Sequence, residues 1–219
     1  MNEPHEENKL TDAATTRRRD VTRRRLVDAA AEVFAEVGLD AASVEAICER
    51  AGFTRGAFYS NFETKEELFL ELAGIVQRER VASVRARVTQ LEASGVLADT
   101  SPDALAIIQA ALDTSAEDRL SILLMSEIRI HALRNPKLAA AYLAQEQEMV
   151  HSVAHIIEDI GRGGSLSFRL PANEAARIMM AVWESSAVRA AMAGVDNEQM
   201  CRRSNEEIAR VAQLIIEPR

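Results

Sequence analysis

A twelve-residue stretch gathers Thr54, Arg55, Gly56, Tyr59, Ser60, Asn61 and Lys65, side chains suited to gripping a nucleic acid. An arginine can fork onto guanine O6 and N7. Hydroxyl, amide and ammonium groups can donate to phosphate oxygens. Gly56 would let a backbone approach DNA closely, and a glycine inside a helix costs about 1 kcal/mol against alanine. That cost implies a packing or contact reason. Upstream, Arg17, Arg18, Arg19 and Arg23, Arg24, Arg25 form two triplets. They could reach flanking phosphates or the minor groove. The plainer reading is a solvated helix face paired with Asp20 and Asp28.

Other chemistries find weaker support. His151 and His155 lie four apart, with His131 and Glu158 nearby in sequence. Two histidines without a third ligand at fixed spacing do not make a zinc site, and no metal is expected. Gly161-Arg162-Gly163-Gly164 follows no strand and lacks Gly-Lys-Ser/Thr, so it reads as a flexible linker rather than a phosphate loop. No Ser/His/Asp or paired-carboxylate arrangement stands out. No catalytic residue and no cofactor are expected. Cys48 and Cys201 are far apart and read as packing thiols.

The elements that would position the first group are helices. Leu26, Ala30, Val33, Phe34 and Val37 form one apolar stripe on a helix from about Arg17 to Val37, ended by Gly38. Ser43 can cap Val44–Arg50, with Glu45 in the first turn. Ala51-Gly52-Phe53 is a tight turn, and Thr54 can cap the next helix. Phe53 and Phe58 then stand at hydrophobic-staple positions, and Thr64 with Glu67 forms a capping box. This is the pattern of a helix-turn-helix: a short inner helix, a glycine turn, and a second helix whose polar N-terminal end enters the major groove. Phe58 and Phe62 would seal that second helix to the core.

Farther on, Ser101-Pro102, Ser115, Asn135-Pro136, Asn173 and Asp196 mark further helix starts, nine helices in all. No strand is expected. Hydrophobic residues make up 47% and charged residues 27% of 219 residues, an ordinary globular balance, and aromatics only 4%. No apolar run approaches a membrane span, and Met1–Asp12 is not a secretory signal. A reducing cytoplasm is expected. The net charge of −8 argues against indiscriminate coating of nucleic acid. Between Ala13 and Lys65, however, nine basic residues face eight acidic ones, +1, which leaves −9 for the remainder. One end of the chain is built to meet an anion.

The stretch Ser43–Leu68, SVEAICERAGFTRGAFYSNFETKEEL, resembles the DNA-binding domain of the TetR family of bacterial repressors. Thr54, Tyr59, Phe62, Lys65, Glu66 and Leu68 match the family pattern. Asn61 and Glu63-Thr64 depart from it while keeping a hydrogen-bonding group and a cap. The resemblance implies that Ser43, Tyr59, Asn61 and Lys65 contact phosphates, and that Arg55, with Thr54 and Ser60, touches base edges or nearby backbone. It also implies that the last two helices pair with their symmetry mates, through Ile178, Val182 and Ser186 on one and Ile208, Val211 and Ile215 on the other.

The expected protein is all-α. Residues 1–16 form a disordered arm, 17–64 a helix-turn-helix DNA-binding domain, and 65–219 an effector-binding and dimerisation domain. Its partners are near-palindromic double-stranded DNA, a second copy, and a largely apolar small molecule, with no membrane. Met179, Met180, Trp183 and Met192 share a helix, where core or dimer packing is the default reading. An effector pocket would draw on Met125, Ile128, His131, Met179 and Trp183, since methionine and tryptophan make adaptable linings. The function is that of a ligand-released repressor. The competing reading is a helical-bundle enzyme or metal protein with a helix-turn-helix-like segment.

Overall fold

The computed structural model describes residues 4–94, 119–162 and 166–218; side chains of residues 4–16 and of 92, 166 and 218 are not described. Among the described residues there are eight helices: α1 Pro4–Ala41, α2 Val44–Ala51, α3 Arg55–Tyr59, α4 Lys65–Ala93, α5 Arg119–Arg134, α6 Pro136–Arg162, α7 Ala172–Met192 and α8 Asn197–Ile215. The helix expected to start at Ser101 lies outside the described residues. None of the described helices is long and apolar enough to cross a membrane.

Two compact units emerge. The first comprises residues up to Ala73 together with Leu124–Leu138; the second comprises Gly74–Leu123 and Ala139–Arg219. The first unit takes in more chain than the 17–64 segment: it adds the start of α4 and the second half of α5. Its buried side chains include Leu26, Ala30, Val33, Phe34, Ile47, Phe58, Phe62, Leu68, Phe69 and Ile128. The Phe34 and Phe69 rings meet at 5.7 Å between centroids. Val37, assigned to the apolar stripe, is exposed. The helix breaks just after it, where Gly38 takes φ 76° and turns the chain into Leu39–Ala41. That backbone region is open to glycine and strained for other residues.

α1 begins at Pro4, so residues 4–16, expected as a disordered arm, are helical. Proline's fixed φ suits the first helical position, where its missing N–H costs nothing.

In the second unit α7 and α8 pack against each other. Ile208, Ala209, Ala212 and Ile216 form one buried cluster with Met179 and Trp183 against it. Ala175, Ala176 and Ile215 join Val150, Ala154 and Ile157 in another. The cap at Asp196 is present: its carboxylate accepts from the Gln199 N–H at 2.7 Å. The expected cap at Asn173 is not, because α7 starts at Ala172 after Pro171. Arg119 donates to the Ala191 carbonyl at 2.7 Å near the end of α7.

A two-stranded antiparallel ladder was not expected. β1, Leu166–Phe168, pairs with β2, Ile216–Pro218, in the register Phe168 to Ile216. Three-residue strands are too short to show alternation, so pattern alone does not reveal them.

Candidate nucleic-acid interface

α2, its turn and α3 are built as their sequence requires. The Ser43 hydroxyl accepts from the Ala46 N–H at 3.1 Å and the Thr54 hydroxyl from the Ala57 N–H at 3.3 Å. Both hydroxyl protons stay free to donate to a phosphate. Gly52 ends α2 in the left-handed region at φ 71°. Beneath α3, Phe58 and Phe62 are fully buried, with ring centroids 5.8 Å apart. The Thr64 hydroxyl accepts from the Glu67 N–H at 3.1 Å. The Glu67 carboxylate reaches back to the Glu63 N–H at 2.7 Å, one residue beyond Thr64.

The sealed underside leaves the other face of α3 to solvent. Tyr59 is 51% exposed, and Thr54, Arg55, Gly56 and Ser60 are exposed. A Cβ added at Gly56 would meet nothing closer than the Thr54 hydroxyl at 3.7 Å. Internal packing therefore does not demand the glycine. Arg55 pairs with Glu45 at 2.7 Å, and its guanidinium pKa is raised by Tyr59 first and Glu45 second. An exposed pair of this kind is weak in water, so Arg55 can leave Glu45 for a base edge at little cost. The Ser60 hydroxyl donates to the Gly56 carbonyl at 2.8 Å, which occupies its proton.

A family model described as bacterial regulatory proteins, tetR family, matches residues 26–72. UidR of Escherichia coli K12, an HTH-type transcriptional regulator, is 25% identical over 146 residues, 67% of this chain and 69% of its own length. Over residues 26–72 the chain is similar to the DNA-binding domain of the TetR family. It is a DNA-binding transcriptional regulator, as its relatives are, and not an enzyme. The fold of TetR proteins extends along the chain. A TetR-family regulator from Rhodococcus superposes with TM-score 0.67 at 18% identity, covering 90% of this chain and 98% of that one. FadR of Thermus thermophilus, a TetR-family repressor solved with lauroyl-CoA, gives 0.61 at 21% identity, covering 88% and 92%.

Within this domain two assigned residues turn inward. Lys65, expected on phosphate, donates instead to the carbonyls of Leu39, Asp40 and Ala42 at 2.9, 3.0 and 3.1 Å. These lie just beyond the Gly38 break, where helical carbonyls lose their partners. Asn61, also expected on phosphate, is only 9% exposed, and its amide donates to the Ala57 carbonyl at 2.8 Å. Both residues were read by position in the motif; their long-range and local acceptors are invisible to spacing.

The arginine triplets divide. Arg17, Arg18 and Arg24 are exposed. Arg19 is exposed and makes a long contact of 3.4 Å to the Ser60 carbonyl. Arg25 donates to the Ala51 carbonyl at 2.9 Å and lies over the Phe53 ring at 4.8 Å. Arg23 is held inside the unit by Glu71.

The five residues assigned to an effector pocket do not share one unit. Ile128 is buried and His131 faces Asp40 at 3.0 Å within the first unit, which also holds Met125. Met179 and Trp183 lie in the second. The spacing of a single helix cannot reveal that α5 divides its residues between units. Glu127 of α5, which the sequence reading passed over, accepts from the Leu39 N–H at 2.7 Å. Of the six residues assigned to the dimer surface, Ser186, Ile208 and Ile215 are buried within the chain, while Ile178, Val182 and Val211 retain exposure. His151 hydrogen-bonds the Gln147 carbonyl at 2.9 Å and His155 pairs with Glu158 at 3.3 Å. Among the described residues no three His, Cys, Asp or Glu side chains gather as a metal site.

Proposed function

We propose that this chain is a cytoplasmic homodimeric repressor of the TetR family that leaves a near-palindromic operator when a small molecule binds its second unit. The observation that carries the DNA half is α3: both ends are capped, its aromatic underside is buried, and Arg55, Gly56 and Tyr59 are presented outward. Thr54, Ser43 and the exposed Arg17, Arg18 and Arg19 supply flanking contacts. One such helix reads few base pairs. A two-fold dimer reads two half-sites about 34–36 Å apart, which is why the operator should be near-palindromic.

The dimer surface is the outward face of α7 and α8. Ile178 is 40% and Leu214 72% exposed, and Ala181 and Ser185 share the exposed side of α7. Small side chains there permit close helix approach.

The effector site is centred on Trp183. Its indole N–H is buried without a hydrogen-bond acceptor, and the Arg80 guanidinium lies 3.4 Å from the ring centroid. A buried donor left open costs about 1–3 kcal/mol, which a ligand oxygen would recover. Met179 packs against the same cluster. The effector is therefore a largely apolar molecule carrying an acceptor oxygen. The lauroyl-CoA with which FadR of Thermus thermophilus was solved carries an apolar acyl chain ending in a thioester oxygen.

α4 and α5 each contribute residues to both units. A ligand that favours the dimer with the wrong half-site separation would weaken operator binding by its differential affinity for the two states. Selection from a random DNA pool identifies the operator, and gel-shift titration tests release. Recovery of no preferred sequence would overturn the DNA reading. An effector that leaves operator binding unchanged, or tightens it, would overturn the release mechanism.

A further inference from the structure

Arg23 belongs to the basic face of α1, yet its guanidinium is used up inside the domain. Its Nε donates to both Glu71 carboxylate oxygens, at 3.0 and 2.7 Å, and Nη2 closes the fork on the same group. Nη1 donates to the backbone carbonyl of Asn61. The guanidinium carbon stands 4.1 Å from the centroid of the Phe62 ring. One side chain thus joins α1, α4 and the residues that end α3. Its side chain is 30% exposed and that of Glu71 26%.

α3 needs such support. It has five residues, too few to hold a helical conformation alone. Its direction is imposed by Phe58 and Phe62 below, by the Thr54 cap at the start, and by whatever fixes Asn61 at the end. The Asn61 side chain already closes the last turn onto Ala57. Its backbone carbonyl is held by Arg23, which Glu71 in turn holds in place.

We propose that Arg23 is a positioning residue for operator recognition: anchored by Glu71, it fixes the end of α3 and acts on DNA only through the pose of that helix. The inference rests on α3 being the recognition helix. The shape of the guanidinium matters here, not its charge. A lysine would keep the charge but lose the planar fork and the ring stacking. An arginine on phosphate would show the reverse dependence.

The test uses the full chain and the operator selected by the unsubstituted protein. R23K, R23A and E71Q are titrated against operator and scrambled duplexes across a salt series, at a temperature where circular dichroism shows each folded. R23K and E71Q should lower the ratio of operator to scrambled affinity about tenfold, the scale of one misread base pair, while the salt slope is unchanged. E71Q is informative because it removes a negative charge; an arginine freed for phosphate would bind every sequence more tightly. Operator affinity preserved in R23K, with a slope lowered by about one on both duplexes in R23A, would make Arg23 a phosphate contact and overturn the proposal. So would a fall in melting temperature with the affinity ratio intact, which marks a stabilising role alone. If the unsubstituted protein selects no sequence, the recognition-helix reading fails first; if it does and R23K matches it, only the Arg23 inference fails.

Discussion

The Lys65 ammonium donates to the Ala42 carbonyl at 3.1 Å, so the first residue of α4 caps the end of α1. The Leu39 and Asp40 carbonyls share the same ammonium. From the other side Glu127 accepts from the Leu39 N–H, and His131 pairs with Asp40. The link between α1 and α2 is therefore held by α4 and by α5, each of which contributes residues to both units.

Substituting Lys65 should act on stability before DNA. K65A leaves the Leu39 and Ala42 carbonyls, both partly buried, without their charged donor. The expected loss is about 1–3 kcal/mol. Urea unfolding would show a lower midpoint with an unchanged slope, while the salt dependence of DNA binding by the folded fraction stays as it was. A salt slope lowered by about one at unchanged stability would return Lys65 to the phosphate backbone.

Gly56 separates packing from contact. Its added Cβ would find open space apart from the Thr54 hydroxyl, and it stands inside α3 at an ordinary helical φ. G56A should leave stability equal or raise it by up to about 1 kcal/mol. Operator affinity should nonetheless fall, because the methyl group would occupy the space between helix backbone and DNA. Thermal unfolding and gel shift on the same preparation measure both. Unchanged affinity would mean that the α3 backbone does not approach the duplex there.

Arg55 and Glu45 should behave as a switchable pair. Both are well exposed, at 61% and 59%, so their interaction is weak in water. E45Q frees the guanidinium and removes a negative charge from the DNA face; binding should strengthen slightly for all sequences. R55A should lose discrimination at one base position, by about 1–3 kcal/mol, with little effect elsewhere. Competition with singly substituted operators measures this. A uniform loss at every position would make Arg55 a backbone contact.

What the sequence could and could not disclose follows from the range of each interaction. Caps, turn glycines and the Phe58–Phe62 pair act within four residues, and Ser43, Thr54, Gly52 and Asp196 stand in the structure as their spacing predicts. Lys65 and Arg23 bind partners 23 to 48 positions away, which neither the motif position of Lys65 nor the clustering of Arg23 with its neighbours discloses. Ile208 and Ile215 have the periodicity of any buried helix face. Periodicity cannot say whether that face meets another helix of the chain or a second copy, and here it packs within the chain. The three-residue ladder of Phe168 and Ile216 carries too little pattern to be seen at all.

Acid should loosen the first unit through Glu63. A hydrogen bond and then the charge of Lys137 hold the Glu63 carboxyl below the usual glutamate range. A carboxylate whose folded pKa lies below its unfolded value adds stability above the unfolded pKa and loses it as pH falls through the folded one. The stabilisation is thus complete at neutral pH and fades below about pH 4.5. Glu36, lowered first by its hydrogen bond to Arg50 and then by that residue's charge, acts with the same sign in the same window. Both carboxylates are exposed, so each contribution is small and screened by salt. E63Q should flatten the pH dependence of urea stability between pH 5 and about pH 3 relative to the unsubstituted chain, most clearly at low ionic strength. A steeper acid loss in E63Q, or a difference that persists undiminished at 1 M salt, would show that the Lys137 pair is not what lowers Glu63.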